Sequence, residues 1–168
     1  MSHENEFEDA ERVETVRIKG LGGELDISGN FYERVGGSKT FERLVAKFYE
    51  GVAQDDILRP MYPEEDLGPA AERLRMFLEQ YWGGPTTYQE QRGHPRLKLR
   101  HAPFKINPLA RERWLLHMRA AVDSIELPQM LEAELWGYLD RAATAMLNTF
   151  EERFGALAVM RLAQPHAQ

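Results

Sequence analysis

Between Arg73 and Phe104 the chain is punctuated so heavily by glycine and proline that few folds can hold it. Ala70, Leu74, Phe77, Leu78 and Tyr81 recur at helical spacing and share one face, with Pro69 placed in the first turn of that helix. The helix must stop at Gly83-Gly84-Pro85. Pro95 can open a second, short helix, and this one must end near Ala102, because Pro103 disfavours helical geometry in the residue before it and cannot continue the helix itself. His101 falls on its last turn.

The remaining apolar pattern is also helical. Phe41, Leu44, Val45, Phe48, Tyr49 and Val52 fall on one face, with Ser38 expected as N-cap. Pro60 and Pro63 bracket a loop containing Met61 and Tyr62. Asn107-Pro108 reads as a helix start, followed by a stripe of Trp114, Met118, Ala121, Val122 and Ile125. Pro128 opens a last long helix with Leu131, Leu135, Leu139, Ala142, Met146 and Leu147 on its apolar face. The Gly-Gly pair at 36–37 and the link from Thr86 to His94 are read as turns between short helices. No strand pattern competes over residues 38–150, so the class is all-α. Residues 1–30 read as an acidic, flexible extension, 31–150 as the folded domain and 151–168 as a tail.

Composition removes several functions. A net charge of −6 and an isoelectric point near 5.4 argue against a nucleic-acid binder and against attraction to anionic membranes. There is no apolar run of the roughly 18 residues that a membrane span requires. No signal-peptide core is present near the N-terminus, so a cytoplasmic protein is expected. Cysteine is absent, which excludes disulfides, thiolate catalysis, iron–sulfur clusters and cysteine-zinc sites together. No histidine pair has the i, i+4 spacing of a helical zinc site. A metal would be held by histidine or carboxylate, or within a porphyrin.

The stretches Arg-Leu-Arg-Met-Phe-Leu-Glu-Gln-Tyr-Trp-Gly-Gly-Pro and Gly-His-Pro-Arg-Leu-Lys-Leu-Arg-His-Ala-Pro-Phe closely resemble the haem-binding centre of the group II truncated haemoglobins, and the resemblance runs from about Phe31 to Phe150. It implies a two-on-two helical sandwich around haem b (iron protoporphyrin IX). Taken alone, a histidine near a helix end is more often a cap or a surface residue. The resemblance makes His101 the iron ligand, leaving the sixth position open to a diatomic molecule. Leu97, Phe104 and Ile106 are then candidates for the lower face of the porphyrin, and Ala70, Leu74, Phe77 and Leu78 for the opposite wall. Ala70 takes the place where many globins carry a polar residue. Arg73, Lys98 and Arg100 are propionate candidates, although each reads equally well as a solvated surface charge.

On the ligand side the resemblance points to Tyr49, Tyr62 and Trp114. Singly, each could be an aromatic filling core volume; together at family positions they read as hydrogen-bond donors. Bound O2 has partial superoxide character, and a hydrogen bond to such an acceptor contributes roughly 1.5–3 kcal/mol. The expected function is therefore binding of O2, CO or NO with slow O2 release, which suits nitric oxide dioxygenation or peroxidase-type chemistry better than oxygen transport. The sequence shows no flavin or nicotinamide motif, so turnover would draw on an outside electron donor. The alternatives are a gas or redox sensor and a haem-free helical interaction module; a Soret band separates the last at once. Monomer and homo-oligomer both remain open.

Overall fold

The computed structural model describes residues 29–149; the expectations for the leader and the tail lie outside them. Seven helices follow in order: α1 Phe31–Arg34, α2 Ser38–Ala53, α3 Gly68–Tyr81, α4 Thr87–Arg92, α5 Leu97–His101, α6 Pro108–Ser124 and α7 Gln129–Ala145, with a 3-10 turn at Arg59–Met61 between α2 and α3. There is no strand among the described residues. Helix α2 packs on both α3 and α6, and α6 packs on α7. This is the two-on-two sandwich, with α2 and α3 forming one pair and α6 and α7 the other.

The apolar stripes account for the packing. All six stripe residues of α2 are buried, and Leu44, Phe48 and Val52 are completely so. They meet Met118, Ala121 and Val122 of α6, with Leu135 and Leu139 of α7 in the same core. Two helix starts follow the expected chemistry. Pro69 sits in the first turn of α3. The Asn107 side-chain oxygen accepts from the Ala110 N–H at 2.8 Å, capping α6.

Several local expectations differ from the structure. Ser38 is the first helical residue of α2 rather than its cap, which is Gly37 at φ 69°. The Ser38 hydroxyl is used elsewhere, donating to Glu79 Oε1 at 2.8 Å. Glu79 is buried and also receives Arg75 at 3.0 Å, so the carboxylate is paired while tying the start of α2 to α3. Tyr81 leaves the buried stripe: it is 53% exposed and stacks on Tyr138 with ring centroids 4.0 Å apart. The link Thr86–His94 contains α4, whose Tyr88 is buried edge-on against Phe77. A single apolar residue in a polar stretch has no period to reveal it. Helix α7 ends at Ala145, so Met146 and Leu147 follow it instead of extending its stripe.

The Gly83-Gly84 turn shows why glycine is needed there. Gly83 has φ +97°, and a Cβ on Gly84 would lie 2.7 Å from the Tyr32 ring and 2.9 Å from the Glu79 carbonyl oxygen. The tight turn lets the Tyr32 N–H reach the Trp82 carbonyl at 3.1 Å, closing the N-terminal helix onto the end of α3.

Buried Asp55, just after α2, carries the densest polar network. Its Oδ1 accepts from the N–H groups of Ile57 and Leu58 at 2.8 and 2.9 Å. Its Oδ2 accepts from His117 Nε2 at 2.6 Å and from Arg113 at 3.3 Å. Burial pushes the carboxyl up, but the bonds from His117, the Leu58 and Ile57 N–H groups and Arg113 outweigh it and hold the pKa at about 2, against the usual 3.8. A folded-state pKa below the unfolded one means that this group stabilises the fold above pH 3.8 and that the contribution disappears as pH falls through about 2. Asp55→Asn is therefore expected to cost roughly 2 kcal/mol at neutral pH. It should also flatten the pH dependence of stability within that acid window, measured by urea unfolding at stepped pH; an unchanged profile would place the acid sensitivity elsewhere.

Candidate functional site

Three aromatic residues from three separate elements converge on one side of the sandwich. Tyr49 comes from the last turns of α2, Tyr62 from the residue after the 3-10 turn, and Trp114 from the second turn of α6. The Tyr49 and Tyr62 rings meet edge to face with centroids 5.7 Å apart. Phe48 bridges to the third member, lying 5.0 Å from Tyr49 and 5.3 Å from Trp114. Each ring is thus held by another in the favoured perpendicular geometry.

The donors of this cluster are only loosely committed. The Tyr49 hydroxyl reaches the Ala70 carbonyl at 3.4 Å, a long bond. The Trp114 indole N–H meets no acceptor among the described residues. Burial raises the Tyr49 pKa, and the neighbouring Tyr62 raises it further. Burial likewise raises that of Tyr62. Both phenols therefore keep their protons at any physiological pH and remain donors.

Leu74 and Phe77 of α3 are half-buried, whereas Ala70 and Leu78 are buried. Arg73 is engaged with Glu64 at 3.0 Å. Helix α5 carries His101. Its Nδ1 lies 2.7 Å from the Leu97 carbonyl. A carbonyl can only accept, so Nδ1 carries the proton and Nε2 keeps its lone pair. Nε2 has no partner among the described residues. Arg96, just before α5, adopts a left-handed φ of 41°, so the short helix starts from a strained residue. Arg100 is spent on structure: it donates to the carbonyls of Pro95 at 2.7 Å and Arg92 at 2.8 Å and lies over the Tyr88 ring. Lys98 and Phe104 line a cleft shared with Asn148 and Thr149 beyond α7. Leu97 and Ile106 are half-buried.

Sequence reasoning missed the residues that hold this site together. Asn148 lies beyond the helical stripe, yet its amide donates to the carbonyls of Phe104 at 2.8 Å and His101 at 3.4 Å and accepts from the Ile106 N–H at 2.8 Å. The N–H groups of Asn148 and Thr149 both return to the Ile106 carbonyl. His117 and Arg113 bracket Trp114 and fasten α6 to Asp55. Arg59 donates to three carbonyls of the loop that bears Tyr62. A sequence pattern records burial, and these are polar side chains whose partners, backbone groups for Asn148 and Arg59 and a distant carboxylate for His117 and Arg113, leave no periodic trace.

Helical architecture, a histidine with a ring nitrogen left without a partner and a cluster of aromatic side chains are the features a globin would need. A family model described as bacterial-like globin matches residues 30–148. A group 2 truncated hemoglobin of Bacillus subtilis is 39% identical over 120 residues, covering 71% of this chain and 89% of that protein. Among solved structures, a thermostable hemoglobin from the actinobacterium Thermobifida fusca shares 65% identity with a TM-score of 0.71, covering 72% of this chain and 98% of its own. A truncated oxygen-avid haemoglobin from Bacillus subtilis shares 38% identity with a TM-score of 0.67, covering 71% of this chain and 100% of its own. The chain belongs to the bacterial-like globins, in the group II truncated haemoglobin branch. It is a haem globin that binds O2 and other small gaseous ligands, and the His101 nitrogen left without a partner suits that cofactor.

The geometry of Asn148 generates one prediction. Asn148→Ala removes three bonds from the segment 101–106, each worth about 1 kcal/mol or less where exposed. Amide exchange at Ile106 should accelerate at least tenfold while the amides of α2 keep their protection; uniform acceleration across both would mean a global rather than a local effect.

Proposed function

We propose that this protein binds O2 tightly and releases it slowly, with His101 as the proximal ligand of a b-type haem and Tyr49, Tyr62 and Trp114 as ligand donors. The observation that carries the reading is the His101 ring: Nδ1–H is fixed on Leu97 O, which orients the imidazole and leaves Nε2 for iron. Haem supplies an open coordination position for a diatomic molecule. The chain supplies everything that discriminates among such molecules. Two neutral phenols and an indole, all donors, favour a ligand that accumulates negative charge over one that does not. Slowing escape tenfold takes about 1.4 kcal/mol, less than one good bond to a charged acceptor. The oxygen avidity stated for the Bacillus subtilis relative supports the same direction. Ala70 cannot donate from its side chain, so the burden rests on the three aromatics.

Slow release disfavours transport and suits chemistry on the held ligand. The protein is first an oxygen binder; oxidation of nitric oxide to nitrate, or peroxide-driven oxidation of a reducing partner, is the chemistry such binding would allow, with an electron donor from outside the chain and a cytoplasmic setting.

Two measurements check this reading. His101→Ala should lose stable haem, because His94 is exposed in a loop and His117 is tied to Asp55, so neither can replace it. Parental haem affinity with an unchanged ferrous spectrum would refute the assignment. Trp114→Phe keeps the ring against Phe48 but removes the N–H; stopped-flow displacement of O2 by CO should show dissociation at least about tenfold faster, equivalent to 1.4 kcal/mol. A rate within about twofold of the parent would leave the tyrosines as the only donors.

A further inference from the structure

We infer that Arg59 is the positioning residue for Tyr62: one guanidinium folds the loop that carries this tyrosine and thereby determines whether its hydroxyl faces the ligand. The inference rests on the donor role proposed above for Tyr62.

Residues Tyr62 to Leu67 have little backbone structure of their own. Pro63 has no N–H to give. The Tyr62 N–H closes back on the Arg59 carbonyl at 3.2 Å, and regular backbone bonding resumes only with Ala71 on Leu67 at the start of α3. Between these points the Arg59 side chain takes the place of a backbone ladder. Its Nη1 donates to the Tyr62 carbonyl at 3.1 Å. Its Nη2 donates to the carbonyls of Glu64 and Glu65, both at 2.9 Å. Three carbonyls from different points of the loop are gathered onto one planar fork, an arrangement that the compact ammonium of lysine cannot reproduce. A second arginine completes the clasp: Arg73 of α3 binds the Glu64 carboxylate at 3.0 Å, so Glu64 is held by its carbonyl from one side and by its side chain from the other.

Tyr49 and Trp114 stand on helices of sixteen and seventeen residues, whereas Tyr62 stands on this loop. Its place against Tyr49, with centroids 5.7 Å apart, therefore depends on the clasp as theirs does not. The Arg59 N–H also donates to the Asp55 carbonyl at 3.0 Å, so the clamp is rooted at the end of α2, just beyond Tyr49.

The test uses the full-length, haem-loaded protein and combines Arg59→Gln and Arg59→Lys with Tyr62→Phe and, separately, Trp114→Phe. Removing the Tyr62 hydroxyl should speed O2 dissociation several-fold in the parent and by less than about twofold on either Arg59 background, a coupling of the size seen between residues of one network. The effect of Trp114→Phe should persist on both. The C–O stretch of the ferrous CO complex reports the donors directly, and Arg59→Gln should move it toward the Tyr62→Phe position. Amide exchange at Tyr62 and Ala71, whose N–H groups make the backbone bonds at the two ends of the loop, should accelerate in the haem-loaded Arg59→Gln protein while α2 keeps its protection, which separates a loosened loop from a failed fold. If Tyr62→Phe speeds release equally with and without Arg59, Tyr62 is a donor and the positioning role is overturned. If Tyr62→Phe is silent in the parent, the donor role itself fails and the inference falls with it.

Discussion

Asp55 is where three pieces of backbone meet. Its carboxylate caps the turn that follows α2 through the N–H groups of Ile57 and Leu58, and it reaches across to α6 at Arg113 and His117. All three residues of the aromatic cluster stand within a few residues of these contacts. Tyr49 precedes Asp55 on α2, Arg59 and Tyr62 follow it, and Trp114 lies between the two α6 residues that bind it. A buried carboxylate is costly unless every lone pair is used, and this one takes two backbone and two side-chain donors. The network thus converts a liability of burial into a fixed distance between α2 and α6. Gly51 belongs to the same arrangement: a Cβ there would lie 2.2 Å from His117 Nδ1, so only glycine lets the imidazole settle against α2 on its way to Asp55.

The aromatic cluster and the His101 segment are built by different physics. Tyr49 and Trp114 ride on long helices whose burial is shared across the whole core, so their positions are set by packing. Helix α5 spans only five residues and buries none of them. A helix that short has no stability of its own in water. It is held by bonds from outside: Arg100 to the carbonyls of Pro95 and Arg92 before it, and Asn148 to those of His101 and Phe104 after it. The His101 ring is oriented within its own turn by Leu97, while the turn is held by chain far away in sequence.

This difference explains what was legible beforehand. The long helices announced themselves through the period of Phe41 to Val52 and of Leu131 to Leu139, and Asn107 through its cap followed by proline. The positions now occupied by Tyr49, Tyr62, Trp114 and His101 were legible only through the family resemblance, because periodicity alone cannot tell a donor from a core filler. The braces were not legible at all. Ser38 has the chemistry of a cap, yet Glu79, forty-one positions later, takes its hydroxyl. Arg100 has the chemistry of a propionate partner, yet backbone carbonyls occupy its guanidinium. Ser38 lost its local role to a distant partner, whereas Arg100 is taken up by carbonyls only five and eight residues before it.

The charge arrangement on the ligand side follows from the same competition. Burial raises the pKa of both phenols, and the negative charge of Glu64 adds a smaller push in the same direction. Arg73 acts in the opposite sense on both, and its pairing with Glu64 leaves neither charge isolated. A bond from its own backbone N–H, and then one from Arg73, hold the Glu64 carboxyl below its usual range, so the pair stays ionised through neutral pH. The neutrality of the tyrosines is therefore sustained by burial first, and balanced by an ion pair whose two members reach the pocket from the clasped loop and from α3.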